Sequence, residues 1–160
     1  MKVKYKRLMD NFYGDAPFMG CLLVVPSCKN DCEGCQNQHL KREDTFVSEV
    51  KDVGLAIEEN PFWEGIILGG LEPLDDKRNF KALMKVVEVS KVKSLCIYTS
   101  YEIEDINMDL IPSNIKNLYI KTGKYDRTLS SKHIQYNGWI LDLASNNQNF
   151  YYFDRKKSVL

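Results

Sequence analysis

No stretch of the 160-residue chain approaches the roughly 20 consecutive apolar residues that a membrane-crossing helix requires. The basic opening, Met1-Lys-Val-Lys-Tyr-Lys-Arg7, is not followed before Asp10 by the apolar stretch of a secretory leader. Charge of one sign is missing too, since 22 basic residues face 22 acidic ones. That balance gives no electrostatic footprint for nucleic acid or an anionic membrane. Only two histidines occur, His39 and His133, and neither has a companion at ligand or catalytic spacing. A Ser-His-Asp arrangement would have to be assembled from unrelated segments. Internal repeats, low-complexity tracts and Gly/Ser-rich linkers are absent. The expectation is one ordinary globular domain over residues 1–160, cytoplasmic, with no membrane and no nucleic-acid partner.

What the chain does have is a cluster of thiols. Three of its five cysteines lie in one short run, Cys28-Lys-Asn-Asp-Cys32-Glu-Gly-Cys35. In a reducing compartment such spacing points to ligands rather than disulfides, and an odd total disfavours a disulfide framework. Thiolates ligate both iron–sulfur clusters and zinc. A 4Fe-4S cluster ordinarily takes four cysteines, so a three-cysteine cage leaves one iron open to a reactant. Gly34 lets the backbone turn tightly beside the last ligand. The competing reading is a structural zinc site completed by Cys21 or His39. It lacks the paired Cys-x2-Cys units, or the later His pair, that zinc clips prefer. Cys21 and Cys96 lie inside apolar runs and read as small core residues, and His39 as a surface or capping residue.

Apolar runs alternate with amphipathic stretches. Cys21–Val25 reads as a buried strand, followed by a polar loop from Pro26 to about Arg42. A helix is expected from about Thr45 to Glu59, with Phe46, Val50, Val53 and Ile57 on one face and Asn60-Pro61 as its stop. Gly65–Leu68 is a second strand ended by Gly69-Gly70. A second helix from about Lys77 to Lys91 has Phe80, Leu83, Met84 and Val87 as its inward stripe. Ser94–Thr99 and Asn117–Lys121 read as strands, with a short helix over Tyr101–Ile106 between them. Gly138–Asp142 and Phe150–Phe153 are late strand candidates, and Asp154–Leu160 reads as a solvated tail. The alternation implies an α/β fold with a parallel sheet. Ligands of such sheets sit beyond the carboxyl ends of the strands, where the cysteine loop, Gly69–Pro73, Thr99–Tyr101 and Thr122-Gly123 would share one rim.

Cys28-x3-Cys32-x2-Cys35 after an apolar strand resembles the signature of the radical S-adenosylmethionine superfamily. More narrowly, Ser27-Cys-Lys-Asn-Asp-Cys-Glu-Gly-Cys-Gln-Asn37 is similar to the anaerobic ribonucleoside-triphosphate reductase activating proteins, a family of glycyl-radical-enzyme activases. Gly69-Gly70-Leu71-Glu72-Pro73 resembles that family's Gly-Gly-Glu-Pro element, and Tyr98-Thr-Ser-Tyr101 its Tyr-Thr-Gly-Tyr. Ile120-Lys-Thr-Gly-Lys-Tyr125 resembles its Lys-x-Gly-x-Tyr segment, and Ser145-Asn-Asn-Gln148 a late Ser/Thr-x-Asn-Gln element. The chain departs at Leu71, where a second glycine is usual, at Ser100 for glycine, at Glu33 for proline, and at Pro26-Ser27 for Gln-Gly.

The resemblance implies an abbreviated parallel (β/α) partial barrel of about five or six strands with helices on its outer face. It implies that Cys28, Cys32 and Cys35 hold a 4Fe-4S cluster whose fourth iron is chelated by S-adenosyl-L-methionine. Reductive cleavage of that cofactor would give a 5′-deoxyadenosyl radical, which takes a hydrogen from a glycine of the reductase large subunit. Gly69, Gly70 and Glu72 would hold the methionine end, main-chain groups around Gly34 and Gln36 the adenine, and Thr99 and Tyr101 would line the same pocket. A flavodoxin-like or other low-potential protein would donate the electron. Trp139, Tyr151 and Tyr152 are candidates for a partner surface, with core packing as the plainer role. Two other readings stay open: a radical enzyme acting on another glycyl radical enzyme, a small molecule or a peptide, and a non-catalytic zinc or iron–sulfur module.

Overall fold

A computed structural model describes residues 1–11, 16–29, 37–136 and 138–156. Two short strands open the chain, β1 (Lys2–Tyr5) and β2 (Arg7–Asp10), followed by β3 (Gly20–Val24). A 3-10 turn (Gln38–Arg42) leads into β4 (Phe46–Glu49) and α1 (Val50–Glu58). Then come β5 (Gly65–Gly69), α2 (Lys77–Ser90) and β6 (Ser94–Tyr98). Two 3-10 turns (Ile103–Asp105 and Met108–Leu110) reach β7 (Asn117–Thr122). A hairpin of β8 (Lys132–Tyr136) and β9 (Trp139–Leu143) precedes β10 (Asn149–Asp154).

The main sheet has six strands in the order β10-β7-β6-β5-β3-β2. Its four central strands, β3, β5, β6 and β7, are mutually parallel. All five residues of β5 are buried, which is why its sequence is a continuous apolar run rather than an alternating one. One face carries Leu23, Ile66, Leu68, Leu95, Ile97, Leu118 and Ile120 into a core shared with α1 and α2. The opposite face carries Ile67, Cys96 and Tyr119 against Ala16 and Phe18. Aromatic rings complete that second layer, with Tyr152 stacked on Tyr119 at 5.0 Å and Tyr136 meeting it edge-on at 5.8 Å.

The helices have local causes. Asp76 caps α2 by accepting from the Asn79 amide, and Lys91 closes it in the left-handed conformation. The expected stripe Phe80, Leu83, Met84 and Val87 is buried. Asn79 is buried as well, and its side-chain amide pairs with both main-chain groups of Lys4 at 2.8 and 2.9 Å, tying β1 to the helix. On α1 the buried residues are Val50, Val53, Gly54 and Ile57. Gly54 faces α2 so closely that a Cβ would lie 2.5 Å from Val89 Cγ1.

Several elements differ from expectation. The anticipated helix at 45–59 begins five residues later, because Phe46–Glu49 pairs antiparallel with β1 instead. Phe46 therefore leaves the helix face and stands 54% exposed. The sheet is not all parallel, since β2 and β10 pair antiparallel at its two edges. The expected short helix at 101–106 is a 3-10 turn held by a reciprocal Glu102/Asp105 capping box. The tail is anchored at its start, where Arg155 donates through its amide to Lys116 O and through its guanidinium to Pro112 O. Residues 157–160 lie outside the described residues. Tyr152 belongs to the aromatic layer, which makes packing its role here, and Trp139 and Tyr151 are half-buried.

Gly54→Ala tests the helix contact. Alanine gains about 1 kcal/mol of helix propensity, but overpacking costs about 1–3 kcal/mol. The variant is expected to melt lower, by about 2–4 °C for each net kcal/mol lost, in a thermal denaturation scan. A higher melting temperature would contradict the close helix approach.

Candidate functional site

Four loops gather at the carboxyl ends of the parallel strands. Val25, Ser27 and Cys28 follow β3, and Gly70 to Asp75 follow β5. Thr99 to Tyr101 follow β6, and Gly123 follows β7. The β5 loop sits between the first and third of these, and its side chains reach both.

Glu72 is only 5% exposed, and burial of a carboxylate is costly unless its oxygens are satisfied. Here four donors meet it. Oε2 accepts from the Thr99 hydroxyl at 2.7 Å and the Leu74 amide at 3.0 Å. Oε1 accepts from the Ser100 amide at 2.6 Å and the Ser100 hydroxyl at 2.8 Å. The glycine-to-serine departure at position 100 thus supplies one of the donors. Thr99 Oγ1 in turn accepts from the Tyr101 amide at 3.1 Å, which curls the β6 loop over the carboxylate.

Asp75 makes the second bridge. Its Oδ1 accepts from the Tyr101 hydroxyl at 2.7 Å, and its Oδ2 from the Lys29 amide at 2.6 Å. The Glu72 amide donates to Ser27 O at 3.0 Å. Cys28, half-buried against the apolar core, is therefore flanked on both sides by peptide groups bonded to the Glu72–Asp75 segment. Upstream, the Val25 amide donates to Gly69 O at 3.1 Å, which carries the β3–β5 pairing to the rim.

The glycines at the end of β5 serve the backbone. Gly70 has φ of +81°, and a Cβ there would lie 2.8 Å from Val24 Cγ1. Leu71 turns its side chain into the helix-face core, where it is buried. After β7, Gly123 has φ of +103°, and its carbonyl accepts from Gln148 Nε2 at 3.0 Å. Ser145 and Asn147 complete that turn, bonding the Asp126 amide and Lys124 O respectively. The late Ser-Asn-Asn-Gln element is thus a clamp on the β7 loop. Thr122 Oγ1, fully buried at the end of β7, has no hydrogen-bond partner among the described residues.

The structure brings Cys28, Gly69, Gly70, Glu72, Thr99 and Tyr101 to one rim. Cys32, Cys35, Gly34 and Gln36 lie outside the described residues. Cys21 is fully buried in β3, and burial pushes its thiol up to about 12. His39 lies on the exposed side of the 3-10 turn. Asp75 was not singled out from sequence, and Ser100 stood out only as a departure from glycine, with no partner assigned to it. Each acts on a residue at least 26 positions away in the chain, beyond the reach of any local pattern.

Tyr101 is 38% exposed, yet its phenol is pushed up to about 12, first by its hydrogen bond to Asp75 and then by desolvation. A raised acid constant favours the protonated folded state. Its stabilising contribution is present below pH 10 and is lost as pH rises from about 10 toward 12. Asp75→Asn is expected to bring this titration back toward the ordinary tyrosine range, as followed by ring resonances in an alkaline NMR titration. An unmoved Tyr101 titration would break the proposed cause. Glu72→Gln places an amide NH2 among donors and leaves at least one of them unmatched. A loss of about 2 kcal/mol, or roughly 4–8 °C in melting temperature, is expected.

No helix among the described residues is long and apolar enough to cross a membrane. No curated protein and no solved structure matches the chain. A family match does emerge, to the 4Fe-4S single cluster domain, over residues 16–150. That stretch takes in all four rim loops, the cysteine loop among them. The chain belongs to the 4Fe-4S single cluster domain family.

Proposed function

We propose that this protein is a radical S-adenosylmethionine activase that generates a glycyl radical on an anaerobic ribonucleoside-triphosphate reductase. The observation that carries the reading is the common rim. Cys28, the Glu72–Asp75 segment and the Thr99–Tyr101 segment come from three regions of the sequence that resemble the activating proteins, and hydrogen bonds join them. A six-stranded sheet with four parallel strands and helices on one face is consistent with an abbreviated partial barrel.

The donor set fits a cluster. Cys28 sits on a loop beyond a parallel strand and is only half-buried, unlike Cys21, so it can be approached by iron. Cys28, Cys32 and Cys35 would hold the 4Fe-4S cluster through soft thiolates. When bound, the reduced cluster and S-adenosylmethionine together supply a 5′-deoxyadenosyl radical able to take a hydrogen atom from a glycine Cα. The chain's own task is to bind, orient and exclude water. By the resemblance, main-chain groups of Gly69 and Gly70 would hold the methionine end, and those of Gly34 and Gln36 the adenine. Thr99 and Tyr101 border the same rim. Glu72, with both oxygens engaged by protein donors, holds the β6 loop against the β5 loop and so shapes the pocket wall. The partners are the reductase large subunit and a low-potential, flavodoxin-like electron donor, in the cytoplasm.

Anaerobic reconstitution with iron and sulfide, reduction, and addition of S-adenosylmethionine are expected to release 5′-deoxyadenosine. Cys28→Ala, Cys32→Ala and Cys35→Ala are each expected to abolish release. Adding the reductase is expected to give a glycyl radical by electron spin resonance. A radical on a different glycyl radical enzyme alone, or turnover of a small molecule with no protein partner, would move the chain to another branch. One tightly held zinc per chain and no brown colour would overturn the reading.

A further inference from the structure

We propose that Asp75 is a positioning residue for the metal centre, a latch that holds the peptide beside Cys28 against the loop after β6. The inference rests on the reading of Cys28, Cys32 and Cys35 as cluster ligands. Lys29 follows Cys28 directly, and its amide donates to Asp75 Oδ2 at 2.6 Å. On the other flank, Ser27 O accepts from the Glu72 amide at 3.0 Å. The first ligand is thus held from both sides by one four-residue segment.

The two bonds differ in kind. The one at Ser27 joins main chain to main chain and persists whatever the side chains are. The one at Lys29 depends on a single carboxylate, and its charge strengthens it. The carboxylate is itself oriented from behind, since Asp75 Oδ1 accepts from the Tyr101 hydroxyl at 2.7 Å. Tyr101 belongs to the β6 loop, which Glu72 also holds through Thr99 and Ser100. A chain of bonds therefore runs from the end of β6 through Tyr101 and Asp75 to the peptide after Cys28.

A ligand whose flanking peptide is already ordered loses less conformational entropy when it takes up metal. Groups that orient ligands from outside the coordination sphere commonly change metal retention by about 10–100-fold. Asp75 touches no reacting atom in this scheme. Its effect reaches the metal through Lys29 and Cys28.

The test uses the full chain as wild type, Asp75→Ala, Asp75→Asn and Tyr101→Phe, with two readouts. The first is amide hydrogen exchange at Lys29 in the metal-free protein. The second is the rate at which a chelator removes iron from the anaerobically reconstituted protein, followed by loss of visible absorbance. In Asp75→Ala, Lys29 exchange and iron loss are each expected to rise about tenfold, the equivalent of one charge-assisted hydrogen bond. Asp75→Asn keeps an acceptor oxygen for Lys29 but loses the charge, and is expected to lie between wild type and Asp75→Ala in both. Tyr101→Phe, which only frees the carboxylate to rotate, is expected to fall between. Wild-type iron retention in a loaded Asp75→Ala protein would overturn the latch. Equal acceleration in Asp75→Asn and Asp75→Ala would overturn it too, because the acceptor survives in the first. A wild-type chain that takes up no iron would instead overturn the cluster reading, and the latch's purpose with it.

Discussion

A buried carboxylate held by four uncharged donors organises the functional end of this molecule. Glu72 is stable in its place only because four donors converge on it, two of them main-chain amides. Those donors come from two different loops, so satisfying the carboxylate means closing the β6 loop onto the β5 loop. The same segment reaches the other way, through the Glu72 amide and the Asp75 carboxylate, to both sides of Cys28. Polar satisfaction and site assembly are one event here. The rim cannot loosen at one loop without leaving a buried polar group unpaired at another.

The sheet makes that convergence possible. Four parallel strands deliver their carboxyl ends to one edge, and two of them run into a glycine in the left-handed region. Gly70 takes a left-handed turn against Val24, and Gly123 takes another beneath Gln148. Behind the edge, α1 and α2 cover one face so tightly that position 54 has no room for a side chain. The other face is closed by aromatic rings around Tyr119, whose phenol is pushed up first by burial and then by the neighbouring Tyr136. The scaffold is packed on both faces, and the candidate site lies at its edge.

Much of the scaffold could be read from sequence, and the reasons are physical. A strand buried on both faces must be apolar throughout, so Gly65–Leu68 announced itself, as did the 3.6-residue stripe of α2. The amino-terminal strands could not be read in this way, whereas the edge strand β10 matches the candidate at Phe150–Phe153. β1 and β2 are four residues each and carry charged residues on their exposed positions, which resembles a polar leader more than strands. Phe46 fell on the helical repeat with Val50, Val53 and Ile57, yet pairing with Tyr5 placed it in a strand. Tertiary pairing overrode local periodicity there. At the site, the cysteine spacing carried the metal chemistry directly. Glu72 was visible as a motif residue, but its partners Thr99 and Ser100 are linked to it only by the fold. Asp75 carried no signal because its function, in this account, consists of two hydrogen bonds to distant segments.

The central claim is that three thiolates hold a cluster with one iron left for an exogenous ligand. The most direct measurement is the electron spin resonance spectrum of the reduced, reconstituted protein before and after addition of S-adenosylmethionine. The account predicts a 4Fe-4S signal whose shape and g-values change when the cofactor is added, because it binds the open iron. A fully loaded cluster whose spectrum is indifferent to saturating cofactor would contradict it.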